Sequence, residues 1–359
     1  MKLLFTVLLL CSLSLFSHAQ NRPQEPRPPF PYTAEDVHFR NEAAGITLAG
    51  TLTLPEGNTP HPVVVLVSGS GPQDRNEEIL GHKPFGVIAD YLSRQGIAVL
   101  RYDDRGVGAS EGIFSTATTS DFATDAAAAL QYLKTRSDID HAKMGIVGHS
   151  EGGAVAFMQA AHNKDVAFIV SLAGPGIKGQ DLILEQAKMT LLSQGMPALA
   201  WAFQEPVLRE RYAILSQDKP IEEVRKEFFE QLARTTPGIN MEDKTLQAQV
   251  APMLSPWYIA MLKYDPTEDL TQIKCPVLAL NGEEDIQIPA ELSLNAIETH
   301  IKSNGNRQVQ TKIYPGLNHL FQHCESCTIT EYGQLEETIS QEVLQDIVHW
   351  LKQTLRHLL

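Results

Sequence analysis

Five short, nearly unbroken apolar runs recur along the chain: Val63–Val67, Ile97–Leu100, Met144–Val147, Ala167–Leu172 and Val277–Leu280. A half-exposed strand alternates apolar and polar residues, so continuous runs of this length mark strands covered on both faces. Helical spacing marks Phe85–Arg94, Phe122–Leu133 and Val343–Leu355. Strands alternating with helices predict an α/β fold: a mostly parallel central sheet with helices on both faces, joined by right-handed crossovers. Active groups in such a sheet belong beyond the carboxyl ends of the strands. Ile46–Leu54 differs, alternating as a half-buried antiparallel strand would.

Residues 175–265 break this rhythm. Leu182–Leu192, Ala198–Leu215 and Ile221–Leu232 carry helical periodicity punctuated by Pro197, Pro206, Pro220 and Pro237, with no buried-strand run among them. The stretch is too long for a plain loop in a compact domain and predicts a helical insertion acting as a lid. The expected core is then residues 41–174 with 266–359. Residues 20–40 form a Pro-rich N-terminal segment, in which about Asn21 to Tyr32 carries Pro23, Pro26, Pro28, Pro29 and Pro31, a composition that favours extended backbone and reads as a tether.

Residues 1–19 read as an export signal. Lys2 precedes an apolar run from Leu3 to Phe16, and Ser17-His18-Ala19 supplies a small-residue cleavage site before Gln20. The run is too short to span a bilayer stably, and Cys11 lacks the small residue that precedes a lipidated cysteine. The expected location is periplasmic or secreted. Cleavage leaves Cys275, Cys324 and Cys327; the last two favour a local disulfide or two thiols over zinc, which wants four ligands.

The 359 residues are 43% hydrophobic and 20% charged, sufficient for a substantial core. With 29 Lys and Arg against 43 Asp and Glu, the formal net charge is −14. That balance lacks the basic excess used to neutralise phosphates, which disfavours nucleic acid and anionic membranes and favours a small-molecule partner. Gly69-Ser70-Gly71-Pro72 has neither the dinucleotide glycine spacing nor the G-K-[ST] ending, and no H-E-x-x-H occurs, so no cofactor or metal is expected.

G-x-S-x-G occurs twice, at Gly148–Gly152 and Gly108–Gly112. The pattern is weak alone and gains meaning where the serine sits between a buried strand and a helix. Ser150 meets both conditions, following Met144–Val147 and preceding Gly153–Ala161, whereas Ser110 lies in loop-like sequence and reads as a turn residue. A serine nucleophile needs a base, and the base needs an orienting acid. His319 follows the candidate strand Val309–Tyr314, and Asp285 follows Val277–Leu280, with Glu283 and Glu284 as alternative acids and His323 as an alternative base. The oxyanion of a tetrahedral intermediate needs two backbone donors. These are expected at Glu151, next after the nucleophile, and at Ser70, with Gly71 as the alternative. Asp74, Arg75, Arg101, Asp103, Asp104 and Arg105 read as an ion-pair network holding two loops. Trp201, Phe203, Trp257 and Met261 are given no site role.

Ser68–Arg75, Arg101–Ser110, Gly148–Gly153 and Gly316–His319 together resemble the lid-bearing bacterial α/β-hydrolases, in particular exported serine carboxylesterases. The resemblance runs from about Asn41 to the C-terminus and implies the α/β-hydrolase fold, a Ser150–Asp285–His319 triad and hydrolysis of a carboxylic ester through an acyl-enzyme. Related epoxide hydrolases and dehalogenases place Asp where this chain has Ser150, which favours the acyl-enzyme. Ser68 stands where many relatives carry His, which leaves the oxyanion donor open. The enzymatic rivals are an aminopeptidase or thioesterase of the same superfamily; the non-enzymatic rival is a silent ligand-binding protein on the same fold.

Overall fold

The computed structural model describes residues 21–57, 60–236, 238–240 and 242–358. The expected signal, residues 1–19, lies outside the described residues. The chain divides into two compact units, of which the larger takes residues up to Phe114, Thr119–Ile177 and those from Pro266 onward.

Among the described residues, eight strands of the larger unit form one sheet: β1 (Tyr32–Asn41), β2 (Ile46–Pro55), β3 (His61–Val67), β4 (Ala98–Tyr102), β5 (Ile139–His149), β6 (Phe168–Leu172), β7 (Val277–Gly282) and β8 (Val309–Tyr314). Their order is β1-β2-β4-β3-β5-β6-β7-β8, with only the β1/β2 and β2/β4 pairs antiparallel. The chain has the α/β-hydrolase fold, a mostly parallel sheet flanked by helices. The helices are α1 (Pro84–Ser93), α2 (Thr119–Leu133), α3 (Glu151–His162), α4 (Gly179–Ser193), α5 (Ala198–Leu215), α6 (Ile221–Thr235), α7 (Lys244–Val250), α8 (Pro256–Lys263), α9 (Thr267–Gln272), α10 (Ala290–Ser303), α11 (Ile329–Tyr332) and α12 (Gln341–His357).

Strand side chains alternate between faces, so an unbroken apolar run feeds two cores. Val63, Val65 and Val67 pack with Ala126 and Leu130 of α2, Val155 of α3 and Ile297 of α10. Val64 and Leu66 pack on the other face with Phe85 and Ile88 of α1 and Val343 and Ile347 of α12.

The edge of the sheet departs from expectation in two places. β2 lies between β1 and β4 and is buried along both faces, not half-buried. Its polar positions are satisfied there, for Thr53 Oγ1 donates to the Val99 carbonyl and accepts from Ser93 Oγ. The Pro-rich segment is also no free tether from Arg22 onward. Tyr32–Asn41 is the edge strand β1, and upstream of it Arg22 donates to the carbonyls of Gly81, Gly333 and Leu335. Gln24 completes the anchor by bonding the backbone of Thr338 and Ile339.

The second unit gathers Lys178–Asp265 with Ser115–Thr118. It contains α4–α8 around its own core of Trp201, Tyr212, Phe228, Leu232, Met253 and Tyr258. No helix among the described residues is long and apolar enough to cross a membrane.

Candidate active site

β5 ends at His149 and α3 begins at Glu151, so Ser150 is the single residue of the turn between them. Its φ of 52° and ψ of −118° lie where non-glycine residues are strained, and its N–H donates to the Leu172 carbonyl at 2.8 Å. The flanking glycines have a steric cause. A Cβ on Gly148 would stand 2.0 Å from the Gly152 carbonyl oxygen, and one on Gly152 would stand 2.0 Å from that of Val67. The second G-x-S-x-G is a loop clamp: Ser110 Oγ donates to the Asp103 carbonyl at 2.7 Å and accepts from the Ala49 amide at 2.9 Å.

Asp285 and His319 sit on the loops after β7 and β8 and are both buried. His319 Nδ1 lies 2.7 Å from Asp285 Oδ2, while Asp285 Oδ1 accepts from the amides of Gln287 and Ile288 at 2.7 and 2.9 Å. A carboxylate so placed accepts, so Nδ1 carries the hydrogen and Nε2 keeps its lone pair for a proton. The His319 ring stands 4.8 Å from that of His149, which brings it to the turn carrying Ser150. Glu283 and Glu284 are exposed, and His323 is exposed and paired with Glu337 at 2.8 Å.

The Ser68–Pro72 loop lies directly on this turn. A Cβ on Gly69 would meet the Ser150 Cβ at 3.1 Å, and Gly71 has a φ of 102°, a conformation that favours glycine. The Gly69 amide donates to Glu77 Oε1 at 2.6 Å. Ser70, Gly71 and Glu151 therefore occupy the two segments that border Ser150, the loop and the first turn of α3. Asp104 holds the same loop from below, its carboxyl accepting from Ser68 Oγ at 2.9 Å and the Gln73 amide at 3.0 Å. Burial, with the Glu151 and Glu77 carboxylates adding to it, pushes the Asp104 carboxyl up to about 8. The expected ion-pair network forms only in part: Arg75 pairs with Asp103 at 2.7 Å, whereas Arg105 reaches outside the group to Asp125 of α2 at 2.7 Å and Arg101 donates to the Asn76 side chain.

Glu77 and His149 escaped the sequence reading. Glu77 Oε1 lies 2.9 Å from His149 Nδ1, across 72 residues of chain. The only local signal was His149 in the variable position before the serine.

Cys324 and Cys327 form a disulfide. Glu331 completes a group of possible metal ligands, but its carboxylate accepts from the amides of Glu325, Ser326 and Cys327, so it closes the disulfide loop instead. Burial pushes the Cys275 thiol up to about 12, far from the thiolate that would make it reactive.

A profile of the family described as serine aminopeptidase, S33, matches residues 82–323. The chain is 28% identical over 306 residues to Esterase EstD of Thermotoga maritima, an alignment covering 85% of this chain. It spans only 65% of that relative's length. Among solved structures, the Pyrococcus furiosus esterase Pf2001 aligns with a TM-score of 0.55 at 17% identity, covering 90% of this chain and 93% of the other. The α/β-hydrolase GrgF from Penicillium sp. sh18 aligns with a TM-score of 0.56 at 22% identity, covering 90% and 99%.

Proposed function

The chain belongs to the serine aminopeptidase S33 family, and we propose that within it the protein is an exported serine carboxylesterase acting on a small-molecule ester. The observation that carries this reading is the 2.7 Å Asp285–His319 hydrogen bond beside the strained turn of Ser150. The likeness to Esterase EstD favours an ester over an amide.

In this reading Ser150 Oγ attacks the ester carbonyl while His319 Nε2 takes its proton. The tetrahedral oxyanion is met by backbone N–H of Glu151 and of Ser70, or Gly71 in its place. His319 returns the proton to the leaving alcohol, and Asp285 stabilises the imidazolium in between. Water then attacks the acyl-enzyme by the same route, regenerating Ser150. Residues 175–265 enter the reading as a lid because the chain departs for them after β6 and returns before β7. Export rests on the signal pattern of residues 1–19.

The test uses the mature protein beside Ser150→Ala, with acyl esters of increasing length and aminoacyl amides. Ester turnover lost in the variant supports the esterase; turnover confined to amides makes it an aminopeptidase, and binding without turnover makes it a silent member of the fold.

A further inference from the structure

A second acid–histidine couple stands beside the first and takes no part in the steps above. Glu77 and His149 are 3% and 7% exposed. Glu77 Oε1 accepts from the Gly69 amide at 2.6 Å and faces His149 Nδ1 at 2.9 Å. His149 Nε2 in turn lies 3.1 Å from the backbone carbonyl oxygen of His319. One carboxylate and one ring thereby tie together the Ser68–Pro72 loop, the turn of Ser150 and the loop of His319.

Both partners of the His149 ring are acceptors, a carboxylate oxygen and a peptide carbonyl. A neutral imidazole has one N–H and serves only one of them; an imidazolium serves both. Phe85, Ile88, Leu172, Leu320, Phe321 and Ile339 line the apolar side of the couple. Burial there works against the charged ring, but Glu77, the His319 carbonyl and the more distant Asp285 outweigh it, and the His149 pKa lies above the ordinary histidine value. The titratable groups that face the ring are thus Glu77 before α1, Asp285 after β7 and His319 after β8, and Glu77 in turn helps to raise the Asp104 carboxyl after β4.

We propose that the Glu77–His149 couple is a positioning device that locks the backbone of His319 and the Ser68–Pro72 loop into one mutual geometry around Ser150. The inference rests on the serine-hydrolase reading. It has a consequence that mere packing lacks: once the ring loses a proton, one of its two bonds is lost and the base loosens. Activity then falls on the alkaline side, where a simple Ser–His enzyme would hold a plateau after its base has deprotonated.

The experiment follows hydrolysis of a short-chain p-nitrophenyl ester from pH 5 to 10, with labelling of Ser150 by a fluorophosphonate. His149→Leu and Glu77→Gln should lower kcat about 10- to 100-fold, as loss of positioning does, with KM within about twofold. His149→Gln keeps an amide donor toward the His319 carbonyl but does not titrate. It should recover most of kcat and abolish the alkaline limb. If His149→Leu does not fold, the His149→Gln profile decides alone. Wild-type kcat in folded His149→Leu or in Glu77→Gln, or an alkaline limb unchanged in His149→Gln, overturns the proposal. Failure of the hydrolase reading looks different, because wild type itself would then neither take the phosphonate at Ser150 nor turn over the ester.

Discussion

Gly69 lies against Ser150 so closely that a Cβ on it would stand 3.1 Å from the serine Cβ, closer than ordinary van der Waals contact. The absence of a side chain is what lets the loop approach the nucleophile. Gly69→Ala should displace the loop by a few tenths of an ångström and lower kcat about tenfold or more, with KM nearly unchanged. Steady-state kinetics on one ester at fixed pH check this.

Asp285→Asn removes the charge while keeping the shape. Both Asp285 oxygens now accept, so an amide in their place presents N–H groups to donors and allows His319 the wrong tautomer. In comparable triads this costs about 10⁴ in kcat, and a loss of that order is expected here with little change in folding. Kinetics and thermal unfolding of the same preparation measure both.

What the chain reveals in advance depends on whether the cause is local. Val63–Val67 feeds both cores, so its double burial was written into five adjacent residues. The Ser150 turn was equally legible, because Gly148 and Gly152 are demanded by backbone atoms of the turn and of β3. Asp285 and His319 could be named from the strands preceding them. β1 was hidden for a different reason: Val37, Phe39 and Asn41 alternate as inward residues, but the prolines just upstream dominated the composition. Glu77 lay wholly out of reach, since its role comes from a partner 72 residues away.

Asp104 makes stability depend on pH. Its folded pKa of about 8 exceeds the unfolded value of 3.8, so the unfolded chain gives up this proton first as pH rises. The contribution to stability is fully present below about pH 4 and is lost progressively up to about pH 8. Asp104→Asn should flatten that slope, leaving the variant better placed relative to wild type at pH 8 than at pH 5. Urea midpoints across this range read it out.

The Arg105–Asp125 pair is bidentate, with Nε and Nη2 reaching the carboxylate at 2.7 and 2.9 Å, and Asn41 Nδ2 donates to it at 2.7 Å. Asp125 is 1% exposed. Removing one partner of a buried pair leaves the other charge uncompensated, so Asp125→Ala should destabilise the protein by about 3–5 kcal/mol. Chemical denaturation measures the loss.

Whether Ser150 is the nucleophile of an ester hydrolase is decided by intact-mass analysis of the acyl-enzyme formed from a slowly deacylating ester. Wild type should carry a single acyl adduct, mapped to Ser150 by peptide sequencing and absent from Ser150→Ala together with turnover. Ester hydrolysis that persists in Ser150→Ala, or an adduct mapped to another residue, would contradict it.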